Sequence, residues 1–215
     1  MTGETLLETT LRYAGARGTA DVRLRRTAED CLRQLREGCS PAWRWLACPA
    51  SAGGDDVCRL GDWTVQSKRL AAGLAGCDRA FLFAATLGAA ADRMLLRQET
   101  EDMGRAVLLQ AAAAAFLEHY SDSCMAYLRG KAEEDGYYLR PRVSPGDGDF
   151  ALEQQRPLLD RLDAARRIGV TLTDALMLLP TKTVTAVIGL TRTKEAACTG
   201  SSCAGCGKRD CPFRY

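Results

Sequence analysis

One long helical segment restricts the possible folds of this chain more than any other feature. Residues 103–131 have helical character, and positions 111–115 are five consecutive alanines. These alanines occupy every face of the predicted helix, and a helix that is apolar all round is buried on several sides. We therefore expect this segment to be the central helix of the fold, with other elements packed closely around it.

Short apolar and β-branched runs predict the sheet that this helix packs against. The run Ala-Phe-Leu-Phe-Ala-Ala at 80–85 is bounded by turn residues and is typical of a buried strand. Residues 183–190 are rich in β-branched side chains, which favour strands. The remaining predicted strands are 43–48, 56–65, 137–143 and 170–173, with 49–55 as a loop and a turn at Pro180 between the last two strands.

Helical signals fall before, between and after these strands. One further predicted helix ends near position 38, and others cover 67–75 and 89–97. Residues 152–168 are predicted to be helical in two pieces. The pattern predicts an α+β fold, with helices packed on a mostly antiparallel twisted sheet and a short cysteine-rich C-terminal tail. We expect residues 1–190 to form the folded domain and 191–215 a metal-binding tail.

Length and charge exclude several classes of protein. The chain has 215 residues and a formal net charge of +2, which gives no electrostatic reason to expect nucleic acid or acidic membranes as partners. The longest uncharged helical stretch, 106–117, is much shorter than the roughly 20 residues that span a bilayer. The first ten residues carry acids and threonines and have no secretory pattern, so we expect a cytoplasmic protein.

Four cysteines in the last eighteen residues predict a metal site. Cys198, Cys203, Cys206 and Cys211 are spaced Cys-x4-Cys-x2-Cys-x4-Cys, and Pro212 follows the last of them. Thiolates bind zinc and iron–sulfur clusters, and a Gly- and Ser-rich tail cannot form a core of its own. The compact spacing favours a 4Fe–4S cluster, with zinc as the alternative and free thiols as the remaining possibility.

The other candidate reactive residues have structural interpretations. Cys31, Cys77 and Cys124 lie in apolar or helical surroundings, where cysteine packs as a small apolar residue. His119 is the only histidine and stands on a helix close to the alanine run, so we expect it to have a packing role. No catalytic residue is predicted.

The second half of the chain carries motifs of a known family. The segments are Arg142-Val-Ser-Pro-Gly146, Ile168-Gly-Val-Thr-Leu-Thr-Asp174 with the following Ala-Leu-Met-Leu-Leu-Pro, and Lys182-Thr-Val-Thr-Ala186. In order and spacing they resemble the activation domain of cobalamin-dependent methionine synthase. Residues 67–88 are similar to the upstream part of small stand-alone relatives, which also end in four cysteines followed by Pro-x-Arg.

The resemblance implies a role in cobalamin chemistry. It implies a factor that binds S-adenosylmethionine and serves the reductive remethylation of cob(II)alamin, as a component of a methionine synthase or methyltransferase system. Because the chain has no Asp-x-His-x-x-Gly motif, cobalamin would arrive on a separate methionine synthase or corrinoid protein. The resemblance also implies a low-potential electron donor. A cluster on the cysteine tail could pass electrons from this donor to the corrinoid. The alternative is a non-catalytic, metal-bearing module that docks onto a corrinoid methyltransferase.

The same resemblance implies which residues bind the methyl donor. Arg142 matches the arginine that binds the donor's carboxylate, and Ser144 and Gly146 match positions whose backbone contacts the donor. Asp147 stands where the family pattern has a tyrosine, so it would offer a negative charge to the donor in place of an aromatic ring. Tyr137, just before the motif, is expected to pack within its strand.

Overall fold

A six-stranded antiparallel sheet is the centre of the protein, for which a computed structural model describes residues 5–16 and 21–194. Its spatial order is β3-β2-β1-β4-β8-β5, and β6 and β7 form a separate two-stranded sheet. The strands are β1 (Ala42–Ala52), β2 (Val57–Leu60), β3 (Trp63–Gln66), β4 (Cys77–Thr86), β5 (Tyr138–Val143), β6 (Thr171–Leu172), β7 (Leu178–Leu179) and β8 (Thr183–Thr191).

The described part of the chain also contains seven α-helices, which confirms the predicted α+β fold. They are α1 (Leu6–Tyr13), α2 (Val22–Gly38), α3 (Lys68–Leu74), α4 (Ala89–Glu101), α5 (Met103–Glu134), α6 (Gln155–Leu162) and α7 (Ala164–Ile168). None of these described helices is both long enough and apolar enough to cross a membrane.

Strand β4 is the buried axis of the sheet. It pairs along its length with β1 on one side and β8 on the other, and Phe83 stands opposite both Trp45 and Ala186. Its apolar run is buried on both faces because helices cover the sheet on each side. Successive strand residues point to opposite faces, so Phe81 and Phe83 belong to one core and Leu82 to the other.

The long helix α5 contributes to two cores, as its alanines predict. Its C-terminal half packs Cys124 and Leu128 onto the sheet face that carries Phe83. Its N-terminal half packs Ala112 and Ala113 among α2 and α4. The small side chains allow these helices to approach closely, and the prediction of a central helix is confirmed.

Helices α3, α6 and α7 cover the opposite face of the sheet. Leu70 and Leu74 of α3 and Leu158 of α6 are fully buried against Leu82. Phe150, in the loop after β5, belongs to the same core and has no exposed surface. This arrangement fixes the loop that follows β5, which carries the family motif.

Two predicted bounds are wrong. Residues 49–52 belong to β1 and are not part of a loop, because Pro49 still faces Arg79 of β4 and the next residues pair with β2. The single strand predicted at 56–65 is two strands, β2 and β3, which pair with each other across a turn at Gly61. The strand predicted at 170–173 is confirmed at 171–172, where it pairs with 178–179 in the small sheet, and β8 lies between β4 and β5.

Candidate functional site

A β-bulge near the end of β5 determines where Arg142 points. Leu139 pairs with Leu190 and Arg142 pairs with Ile188, so two residues of β5, Arg140 and Pro141, stand opposite one residue of β8. The extra residue reverses the alternation of side chains. Because Ile188 belongs to the core under α5, Arg142 lies on the α5 face of the sheet.

The guanidinium of Arg142 is available for a ligand. Its side chain is 34% exposed, and the nearest carboxylate, that of Asp122 on α5, lies 3.9 Å away. Within residues 5–16 and 21–194 the Arg142 side chain makes no hydrogen bond. A half-buried guanidinium with free donors is suited to binding a planar anion such as a carboxylate.

Arg140, two residues earlier, has a structural role. Its Nη2 donates to the carbonyl of Ala72 at 3.0 Å and its Nε to that of Gly73 at 3.4 Å, so it caps the carboxyl end of α3. A cation at this end of a helix also interacts favourably with the helix dipole. The bulge therefore gives two neighbouring arginines different roles: Arg140 stabilises the fold, and Arg142 faces α5.

The residues after Arg142 form a tight turn closed by its own side chain. The amide of Asp147 donates to the carbonyl of Ser144 at 2.9 Å, and the amide of Ser144 donates to Oδ2 of Asp147 at 2.8 Å. Gly146 has φ +100°, which side chains rarely allow, and an added Cβ would make only an ordinary contact with Leu152. Glycine is thus required here by backbone conformation.

The turn is anchored to the rest of the protein by Phe150 and Asp149. The Gly146 amide donates to the Phe150 carbonyl at 2.7 Å, and the Phe150 ring is buried. Asp149 accepts hydrogen bonds from the amides of Arg69 and Lys68 and from the Ser67 hydroxyl at the start of α3. These bonds lower the pKa of Asp149 from 3.8 to about 2.

Asp122 on α5, which the motif did not indicate, lies beside Arg142. Glu118 and Asp122 are four residues apart and so share one face of the helix. Burial raises the pKa of Asp122, while the charge of Arg142 opposes that rise. The Asp122 side chain is 68% exposed, so solvent screens its interaction with Arg142. The Tyr13 hydroxyl donates to Glu118, which connects α1 to this group.

His119 is exposed on the same helix, so the predicted packing role is wrong. Its neighbours 118 and 120 are partly buried, because α5 turns position 119 towards solvent between them. Tyr137 does have the predicted packing role. It is 4% exposed, and its hydroxyl donates to Asp78 and accepts from Arg192.

The four cysteines predicted to bind metal lie outside the described residues: Cys198, Cys203, Cys206 and Cys211. In the described part of the chain, no group of three or more His, Cys, Asp or Glu residues could hold a metal ion. The cysteines described there are free thiols, and burial raises the pKa of Cys48, Cys58 and Cys124 to about 11. These three are therefore poor nucleophiles at neutral pH.

A separate cleft of about 470 Å³ lies between α2, α4 and α5, lined in part by Arg33, Glu37 and Arg105. Arg105 and Asp122 are seventeen positions apart on α5, which corresponds to roughly 25 Å along the helix. The cleft is thus remote from Arg142. Its Arg105 already donates to Gln34 and Gln98, whereas the Arg142 guanidinium has only Asp122 nearby, at 3.9 Å, among the described residues.

No protein-family model matches the sequence, and a search of curated proteins returned no match. Among solved structures, one described as the crystal structure of the MetH reactivation domain bound to AdoHcy matches with a TM-score of 0.64. The match covers 85% of this chain and 75% of that chain at 16% sequence identity. The described residues therefore have the fold of a methionine synthase reactivation domain.

Proposed function

We propose that this chain is an S-adenosylmethionine-binding factor for the reductive remethylation of cob(II)alamin on a separate methionine synthase or other corrinoid protein. The observation that carries the proposal is the guanidinium of Arg142, which donates no hydrogen bond among the described residues and is placed by a bulge at the head of the Ser-Pro-Gly turn. The shared fold supports it, because the matching reactivation domain was solved with AdoHcy.

In this proposal Arg142 binds the carboxylate of the donor's methionine end. A guanidinium offers two parallel N–H donors to a carboxylate, which fixes the orientation of the ligand as well as its position. Asp122 and Glu118 provide negative charge for the ammonium or sulfonium of the same molecule. The chemistry supplied by bound S-adenosylmethionine is an activated methyl group, and the chain contributes binding and orientation.

The turn contributes backbone contacts and the Ser144 side chain. The Ser144 hydroxyl makes no hydrogen bond within the described residues and can contact the ligand. Asp147, expected to offer its charge, has one carboxylate oxygen occupied by the Ser144 amide. We therefore propose that Asp147 shapes the turn and that Ser144 and Gly146 are the positions of the turn that face the ligand.

Binding of S-adenosylhomocysteine and S-adenosylmethionine, measured by titration calorimetry, tests this site. A charge-assisted hydrogen bond contributes about 1.5–3 kcal/mol, so Arg142→Ala should weaken binding by roughly ten- to a hundredfold. The control is Arg97→Ala, which removes the same charge from an exposed position on α4. Equal affinities of the Arg142→Ala variant and the unchanged protein would contradict the proposal.

Asp122 provides a second test through pH. If its carboxylate attracts the donor's positive charge, S-adenosylmethionine binding should weaken when acid protonates Asp122, whose pKa is raised. Asp122→Asn should weaken binding at neutral pH and remove most of this pH dependence. A pH profile that is the same in both proteins would remove Asp122 from the site and leave the Arg142 result unaffected.

We further propose that the chain beyond β8, which ends at Thr191, forms a metal-binding tail in which Cys198, Cys203, Cys206 and Cys211 hold a 4Fe–4S cluster, with zinc as the alternative. A cluster of low potential would pass electrons from a reductase to the corrinoid. Anaerobic purification followed by visible spectroscopy and metal analysis distinguishes the two metals. A colourless protein that holds one zinc and binds neither S-adenosylmethionine nor S-adenosylhomocysteine would favour the non-catalytic docking module.

A further inference from the structure

Half of strand β1 has an open side. Residues 50–52 pair with β2, and the Gly61 amide reaches the Pro49 carbonyl at the end of that pairing. Residues 42–48 pair only with β4. Within residues 5–16 and 21–194, no backbone or side-chain group forms a hydrogen bond to the outer side of residues 42–48, which we call the β1 edge.

The β1 edge lacks the features that normally protect exposed strands. It is about 23 Å long at the usual rise of 3.3 Å per residue, and its pairing with β4 continues without a bulge. It contains no proline, and Arg44 is its single charged residue. By contrast, the outer strand β5 has Pro141 and a bulge, and the outer strand β3 has four residues. An unprotected edge of this length is a template for another strand.

Incompletely covered side chains flank the β1 edge on both faces. On the α5 side, Trp43 and Trp45 are partly buried, and Tyr127 is 50% exposed with its ring edge-on to Trp43 at 5.4 Å. On the other side, Leu46 is 38% exposed, and Nε of Arg44 is buried without a hydrogen-bond partner. A strand added here would cover apolar surface as well as satisfy backbone groups.

We propose that the β1 edge pairs with the β1 edge of a second copy of this chain, antiparallel about a two-fold axis at Trp45. This register places position 42 opposite position 48 and Arg44 opposite Leu46, so no like charges stand directly opposite each other. The bulky Trp43 meets the small Ala47. The β2–β3 hairpins begin beyond Pro49 and therefore flank both ends of the paired segment.

The composition of the chain favours a second copy over its own C-terminal residues. Residues 195–215 are rich in Gly, Ser and Cys and poor in β-branched side chains, which makes them weak strand formers. The net charge of +2 adds little repulsion between two copies. The resulting dimer joins two six-stranded sheets into one and leaves Arg142, three strands away on β5, uncovered.

Sedimentation velocity on the full chain in reducing buffer, over a hundredfold range of concentration, tests the dimer. Leu46→Lys puts a charge on the β1 edge and should weaken self-association at least about tenfold. Thr64→Lys is the control, because it adds the same charge at an exposed position of the outer strand β3. Ala47→Lys, on the opposite face of β1, provides a second disruptive variant should Leu46→Lys fail to fold.

Amide hydrogen exchange of residues 42–48 identifies the surface. We expect slow exchange in the dimer and fast exchange in the monomeric Leu46→Lys protein, with circular dichroism unchanged. A protein that is monomeric throughout, a dimer that survives both β1 substitutions, or a monomer with slow exchange at 42–48 would each overturn the proposal. The last result would place the chain's own residues on the edge.

Discussion

Two of the open edges of this sheet, on β5 and on β1, are built in opposite ways. Strand β5 carries a proline, a bulge and two arginines, and one of these arginines caps α3 while the other faces α5. The β1 edge is regular and apolar, and its single arginine is partly buried. Irregularity on β5 prevents strand addition and leaves a side chain free for a ligand. Regularity on β1 keeps the backbone free for another strand.

The largest expected effect is the loss of the anchor behind the β5 turn. Phe150 has no exposed surface and lies 6.3 Å, centroid to centroid, from the ring of Trp63. Phe150→Ala should lower the free energy of unfolding by about 3–5 kcal/mol, as measured by urea denaturation. Leu152→Ala, at a partly exposed neighbouring position, should cost much less. Equal losses would mean that the turn is not anchored through the core.

Gly189 of β8, which stands opposite the β5 bulge, packs closely against α3 and β4. A Cβ on Gly189 would stand 2.8 Å from both Sγ of Cys77 and the carbonyl oxygen of Gly73. Because one of these atoms is backbone, Gly189→Ala should destabilise the protein by about 1–3 kcal/mol in urea denaturation. Gly54→Ala, where a Cβ meets nothing within 4 Å, is the matched control. A neutral Gly189→Ala would show that α3 and the Cys77 side chain can move away from β8 freely.

Acid should loosen the β5 turn before it affects the β1 edge. The pKa of Asp149 is about 2 in the folded protein and 3.8 ordinarily, so its contribution is complete above pH 4 and is lost as the pH falls towards 2. Asp149→Asn should therefore flatten the dependence of the urea midpoint on pH between 4 and 2. An unchanged slope would mean that other carboxylates dominate the acid response.

The smallest effect is expected from a charge on the β1 edge. Leu46 is partly exposed, so Leu46→Lys should change the free energy of unfolding of the diluted protein by no more than about 0.5 kcal/mol. Urea denaturation at a protein concentration too low for copies to associate measures this free energy for the monomer alone. A loss of several kcal/mol would mean that Leu46 belongs to the core and would break the contrast between the two strands.

The sequence predicts the parts of the fold whose signals are local. The apolar run of β4 and the alanines of α5 each contain the information that forms the element. The β1 strand beyond Pro49 could not be predicted, because pairing with β2 outweighs the local turn signal.

The candidate site divides in the same way. The motif identifies Arg142 and the Ser-Pro-Gly turn, since these residues are adjacent in sequence. Asp122 and Glu118 come from a distant helix, and only their spacing of four residues hinted that they share a face. The bulge that turns Arg142 towards them depends on the register between β5 and β8, which side-chain patterns do not reveal.

The position of β8 has a consequence for the order of folding. Cys77 of β4 pairs with Thr191, and the central ladder therefore closes a loop of more than a hundred residues. During synthesis β4 and β5 are both made before β8, the strand that lies between them. Until β8 is made, the apolar run of β4 lacks one of its two pairing strands. Such long-range closure slows folding and favours association of incomplete chains. We expect expression at low temperature or with chaperones to improve the yield of soluble protein.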